Sequence, residues 1–167
     1  LSSLVGSEMC IRDSSKGEVI ENQRRILQSV LIDSEIKDQF NVELTMPSAY
    51  SLFKKEDNFL WYQKPTKYGT SNVVISELNS LDEMSLRGVI ETRDSISKRY
   101  IPGRLENSYM ITEQAYEPFF IQTKIKQFDS SETRGTWEVK GDFMGGPFIN
   151  YIICLLYTSD AADDAGS

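Results

Sequence analysis

No histidine occurs anywhere in the chain. That single absence excludes Ser-His-Asp and Cys-His catalysis, histidine ligation of zinc and the commonest general base. Cysteine occurs only at Cys10 and Cys154, close to the two ends. No run approaches the roughly 18 apolar residues that a membrane-spanning helix needs. Long charge runs, low-complexity tracts and internal repeats are also missing. The apolar start, Leu1 to Ile11, has no basic leader and no continuous apolar stretch, so it does not read as a signal peptide.

Both cysteines fall in segments that resemble translated sequencing adapter. Leu4 to Ser14 looks like a transposase-type library adapter read into an insert, and Cys154 to Asp164 like the opposite adapter read out of it. Scars of this kind are set aside before fold reasoning. The expected organisation is a tail over 1–14, a fragment of one α+β domain over 15–153 and a second tail over 154–167. The fragment then holds no cysteine, so neither a disulfide nor a redox compartment is implied. Setting aside Arg12, Glu8, Asp13, Asp160, Asp163 and Asp164 lowers the basic and acidic counts from 18 and 25 to 17 and 20. The net charge moves from −7 to −3. An acidic-tail function is unsupported, and the near-neutral remainder lacks the basic footprint of a nucleic-acid binder. The tails are expected not to pack against the domain. Phe148 to Leu156 is expected to be an exposed apolar strand whose partner is missing, which invites aggregation.

The remainder is rich in aromatic and β-branched residues. Val19, Ile20, Gln23, Ile26, Leu27, Val30 and Leu31 follow helical spacing and predict a helix over about 18–31. Strands are expected at Val42–Met46, at Phe59–Lys64, where aromatics dominate, and at Ser71–Leu78, through Val73-Val74-Ile75. Ser80-Leu81-Asp82-Glu83 has the form of a capping box. It precedes a second helix carrying Met84, Leu86, Val89, Ile90, Arg93, Ile96 and Tyr100, stopped by Pro102-Gly103. Strands then follow at Phe119–Phe128, Thr133–Lys140 and Phe148–Ile153, with a turn at Asp129-Ser130-Ser131. The expected fold is α+β: an antiparallel sheet with two main helices packed on one face, as an incomplete domain.

Candidate sites are few. The glycine-rich stretch Gly141 to Pro147 lacks the endings of a P-loop and the spacing of a dinucleotide loop. A wide turn with positive φ at Gly145 or Gly146 is the favoured reading. Arg99 and Arg104, with Lys98, could hold an anion where the helix ends, but cations there more often offset the helix dipole. Glu132, Arg134, Glu138 and Asp142 offer carboxylates beside an arginine. They suit either a paired-carboxylate hydrolase or cross-strand ion pairs on a wet face. Trp61 and Trp137 could line a sugar or peptide surface, although packing is the commoner role. The candidate surface is therefore Arg99, Arg104, Arg134, Trp137, Glu138 and Asp142. No catalytic residue, cofactor or metal ligand is assigned.

Three longer runs carry a resemblance: Arg93 to Gly103, Asn107 to Glu113, and Glu132 to Phe148, together with Phe59-Leu60-Trp61. They resemble an uncharacterised family of Bacteroidetes envelope proteins, the group labelled domain of unknown function 4837. The resemblance implies a secreted, lipid-anchored protein about twice this length, with its signal and anchor upstream and a last strand and helix downstream. It implies no reaction and no catalytic residues. The expected partner is an unknown ligand or envelope protein, with membrane attachment only through the lipid anchor. The leading expectation is a non-enzymatic envelope domain, and the alternative is a carboxylate-dependent hydrolase of envelope polymers.

Overall fold

The computed structural model describes residues 2–6, 24, 29–81 and 83–155. It is built mostly of strand. In chain order the elements are β1 (Ser2–Gly6), β2 (Val30–Ile32), α1 (Ser34–Phe40), β3 (Thr45–Pro47), β4 (Ser51–Glu56), β5 (Phe59–Thr66) and β6 (Gly69–Glu77). These are followed by α2 (Leu86–Tyr100), β7 (Tyr109–Thr112), β8 (Phe119–Ile125), β9 (Phe128–Lys140) and β10 (Gly145–Ile153). An eight-stranded sheet runs β4-β5-β6-β1-β10-β9-β7, with β8 pairing β9 beside β7, and β2-β3 form a separate ribbon. Every pairing is antiparallel.

The two helices do not share a face, which corrects the expected architecture. Phe59, Leu60 and Tyr62 are all completely buried, so β5 is covered on both sides. Strand alternation sends Leu60 and Tyr62 one way and Phe59 and Trp61 the other. Leu60, Tyr62 and Ile75 pack with Ile36 and Phe40 of α1, Met46 of β3, and Tyr50. On the opposite side Phe59 and Val74 pack with Tyr100 of α2, flanked by Trp61, Ile96 and Ile101. A short apolar run without alternation is the mark of a strand buried on both faces. Among the described residues the structure is thus a mostly-β antiparallel sheet with α1 and α2 on opposite faces.

The helix ends follow local chemistry. Asp33 Oδ1 accepts from the Glu35 N–H at 2.9 Å and caps α1, and Asn41, with φ 53°, closes it. Helix α2 is capped by Ser85, whose hydroxyl accepts from Gly88 N at 3.2 Å, rather than by Ser80. Starting there sends Val89, Arg93, Ser97 and Tyr100 inward at helical spacing. Pro102 follows its last turn, as expected.

Other expectations need correction. The helix over 18–31 lies largely outside the described residues; Arg24, described within it, is helical as expected, while its end, Val30–Leu31, is strand β2 instead. Asp129 to Ser131 belong to β9, and the turn is Lys126-Gln127, with Lys126 at φ 55°. Gly145 and Gly146 begin β10, and the positive φ, 91°, is at Gly141. Gly146 is needed for another reason: a Cβ there would lie 3.1 Å from the Trp137 indole. Residues 2–6 do not hang free. They sit in the middle of the sheet, paired with β6 and β10. Cys154 N also bonds Asp129 O at 2.9 Å. With a neighbour on each side, β10 is not an open edge, and Phe148 and Ile152 are buried. The tail beyond residue 155 lies outside the described residues.

Candidate functional site

The sequence-derived surface does not converge as a whole. Arg104 and Asp142 do meet, although they are 38 residues apart, because β7 lays the loop after α2 against the β9–β10 turn. Arg104 Nε and Nη2 donate to the two Asp142 oxygens at 2.6 and 3.1 Å. The bidentate pair, and then the Phe143 N–H, hold the Asp142 carboxyl below its ordinary value, while desolvation opposes them. Arg134 sits on the opposite part of β9, its Nε 2.5 Å from Glu132 Oε1 in an ion pair without hydrogen-bond geometry. Tyr151 lies across the strand pair from Glu132. Burial, then the Glu132 carboxylate, raises its phenol. Glu138 is exposed between Ile111 and Gly145, and Trp137 is half-buried against Gly146. Arg99 lies 5.0 Å from the ring centroid of its neighbour Tyr100, remote from the others in the helix's last turn. Two of the three carboxylates proposed for acid–acid pairing, Glu132 and Asp142, face an arginine instead.

Sequence reasoning missed the most unusual chemistry, which lies beneath α2. Arg93 is 3% exposed. Its guanidinium covers the Phe148 ring at 3.9 Å, and Nη1 donates to Thr112 Oγ1 at 2.9 Å and to Asp94 Oδ1 at 3.2 Å. Asp94 Oδ1 also accepts from the Thr112 N–H and hydroxyl, tying α2 to β7. Among the described residues Arg93 Nε and Nη2 have no protein partner, and the same holds for the hydroxyls of Ser131 and Thr133. Desolvation lowers the Arg93 pKa to about 10, against the opposing pull of Asp94, so it stays charged at neutral pH. A cavity of about 10 Å³, lined by Arg93, Ser76, Ser97 and Met110, has room for about one water. The available signal was a cation in register with Val89 and Tyr100 on an apolar helix stripe.

Elsewhere the chain offers surface rather than clefts. An open polar hollow of about 350 Å³ is lined by Glu35, Asp38, Lys55, Glu56 and Asp57, and the Lys55–Glu35 ion pair spans part of it. No group of three or more metal-ligating side chains occurs among the described residues. None of their helices is long and apolar enough to cross a membrane. Apolar exposure is marked at strand β8, which pairs only with β9 among the described residues. Phe119 is 57% and Ile121 38% exposed, and Tyr116 just before them is 73% exposed. Both strand residues project from one side of the strand. Such an edge offers unpaired backbone groups and side-chain anchors together.

No curated protein and no solved structure matches the chain. One family model does match, over residues 29–159. The match omits β1 and runs past Ile153 into the second adapter-like segment. Covering most of the chain, it establishes that the protein belongs to the family described as Domain of unknown function (DUF4837).

Proposed function

We propose that this chain is a non-enzymatic binding or structural domain of a bacterial cell envelope, of Bacteroidetes type, attached to the membrane only through a lipid anchor outside these residues. The observation that carries the binding role is the β8 edge, where Phe119 and Ile121 stand exposed on a strand that among the described residues pairs on one side only. A partner would add to this edge through main-chain hydrogen bonds and seat its own apolar residues beside Phe119 and Ile121. The envelope assignment is supported by the motif runs at Arg93–Gly103 and Glu132–Phe148. A carboxylate-dependent hydrolase has less support, because Asp142 and Glu132 are engaged by Arg104 and Arg134. We also read residues 1–14 and 154–167 as adapter-derived. Sequencing across both junctions in the source DNA tests that reading, and a native genome carrying the same codons would refute it.

The functional test uses the natural gene product prepared without its lipid anchor, so that sedimentation reports the β8 edge alone. The wild type should co-sediment with isolated cell envelopes and release no fragments from purified envelope polymers. Phe119→Lys with Ile121→Lys should lose co-sedimentation while keeping its fold. Turnover of a polymer, or binding unaffected by the two lysines, would refute the proposal.

A further inference from the structure

The turn between β9 and β10 displays Phe143, which is fully exposed, and Met144, which is 45% exposed. The loop between α2 and β7 adds Leu105, 50% exposed. Arg104 and Asp142, the chain neighbours of Leu105 and Phe143, form the ion pair that fastens the two loops together. The backbone of the turn is held in place. Asp142 N donates to Val139 O at 3.2 Å, and Val139 N donates to Met144 O at 2.8 Å. The Asp142 carboxylate accepts from the Phe143 N–H at 2.8 Å as well as from Arg104. Three large apolar side chains thus stand in water on a fixed support, which marks an interaction surface.

Cations flank this tip. Lys98 in the last turn of α2 and Lys140 at the end of β9 have their ammonium groups 5.0 and 6.0 Å from the centre of the Tyr109 ring. Tyr109 pairs directly with Lys140, so both lysines sit beside the β9–β10 turn. Neither lysine pairs with a carboxylate among the described residues. The acids of the two loops are Asp142, which Arg104 neutralises, and Glu106. The other end of β9 has a different character. Its turn, Lys126-Gln127, carries no apolar side chain and lies roughly 40 Å away along a strand of 13 residues.

The tip projects outward, and the two hollows of the chain lie elsewhere, beneath α2 and beside α1. A protein partner would need a separate pocket for each projecting side chain. A bilayer interface deforms around all of them. It also favours aromatic rings at the headgroup level and draws lysines toward anionic phosphates.

We propose that the tip formed by Leu105, Phe143 and Met144, with Lys98 and Lys140 beside it, rests in the headgroup layer of an anionic lipid bilayer. A single fatty acyl chain already binds membranes only marginally, and this tip buries less apolar surface than one. It therefore orients the domain and does not hold it there. The proposal rests on the envelope reading above for its setting: the lipid anchor attaches the chain, and the tip decides which end meets the membrane.

The test tethers the full chain to vesicles through a polyhistidine tag and a Gly/Ser linker of about 30 residues before Leu1, long enough to leave orientation free. The vesicles contain nickel-chelating lipid and phosphatidylcholine with phosphatidylglycerol, the acyl chains being brominated to quench indole. Phe143→Trp and Gln127→Trp place reporters at the two ends of β9. The added emission at position 143 should fall by about half, and that at position 127 should stay unchanged. Lys98→Glu with Lys140→Glu should restore the emission at position 143. All four positions are exposed, so the variants should keep the fold, as circular dichroism would confirm. Equal quenching at the two ends would overturn the proposal. No quenching at position 143 would overturn the lipid surface as partner, in favour of a protein. Equal quenching with phosphatidylcholine as the only phospholipid would overturn the anionic preference. The tether stands in for the natural anchor, so a natural gene without an anchor would sink the envelope reading and leave this result standing.

Discussion

The Arg93 guanidinium lies 3.9 Å from the centre of the Phe148 ring, with α2 on one side and β10 on the other. This contact puts a charge inside the core, held by a ring face, Thr112 and Asp94 but with two nitrogens that have no protein partner among the described residues. Arg93→Ala should destabilise the domain by about 3 kcal/mol, through lost packing over Phe148 and the loss of the cation beside Asp94. Arg93→Met should cost less than half of that, because it keeps the volume over Phe148 and removes the unmatched donors. Urea unfolding of both variants checks the order, and equal losses would show that charge rather than packing dominates.

Tyr62 donates to Asp33 Oδ2 at 2.9 Å, and the other oxygen of the same carboxylate caps α1. Asp33→Ala should therefore cost about 2 kcal/mol, the sum of a lost cap and a lost hydrogen bond, while Asp33→Asn should cost less. Thermal unfolding followed by circular dichroism would separate them.

Burial first, and then Asp33, pushes the Tyr62 phenol well above its ordinary value of 10.0. The folded state then holds its proton more tightly than the unfolded state. The resulting stability is complete below pH 10.0 and is lost as pH rises above it. Urea unfolding between neutral pH and pH 11 should show this decline, and Tyr62→Phe should flatten it.

Asp142 titrates in the opposite sense. Arg104 depresses its carboxyl below the ordinary 3.8, so the contribution is present above that value and lost as pH falls through the depressed one. Carbon-13 NMR of the Asp142 carboxyl should report a low midpoint that moves upward in Arg104→Ala. An unmoved midpoint would mean that the ion pair is not kept in solution.

Gly103 faces Ser108 so closely that an added Cβ would lie 2.8 Å from the Ser108 Cβ. Gly103→Ala should force the loop after α2 apart and cost about 2 kcal/mol, with disruption of the Arg104–Asp142 pair. Denaturant unfolding and the same Asp142 titration would detect both effects.

The sequence by itself determined several of the strands and where α2 stopped. Alternation at Trp137 and Val139, the aromatic run at Phe59 to Tyr62, and the helical spacing of Val89, Arg93 and Tyr100 are local patterns, and local backbone preference follows them. The family was legible for the same reason, since its motif runs are contiguous. The choice of cap between Ser80 and Ser85 was not legible, because both serines satisfy the local chemistry and only the seating of Val89 and Tyr100 on the sheet separates them. Tertiary structure alone decided that α1 and α2 take opposite faces, since β5 is covered by Ile36 and Phe40 on one side and Tyr100 on the other, all outside its local sequence. It also joined Arg104 to Asp142, set Arg93 on Phe148 and placed Ser2–Gly6 between β6 and β10. Each of these joins distant parts of the chain through burial and hydrogen-bond closure, and no local pattern encodes such a contact.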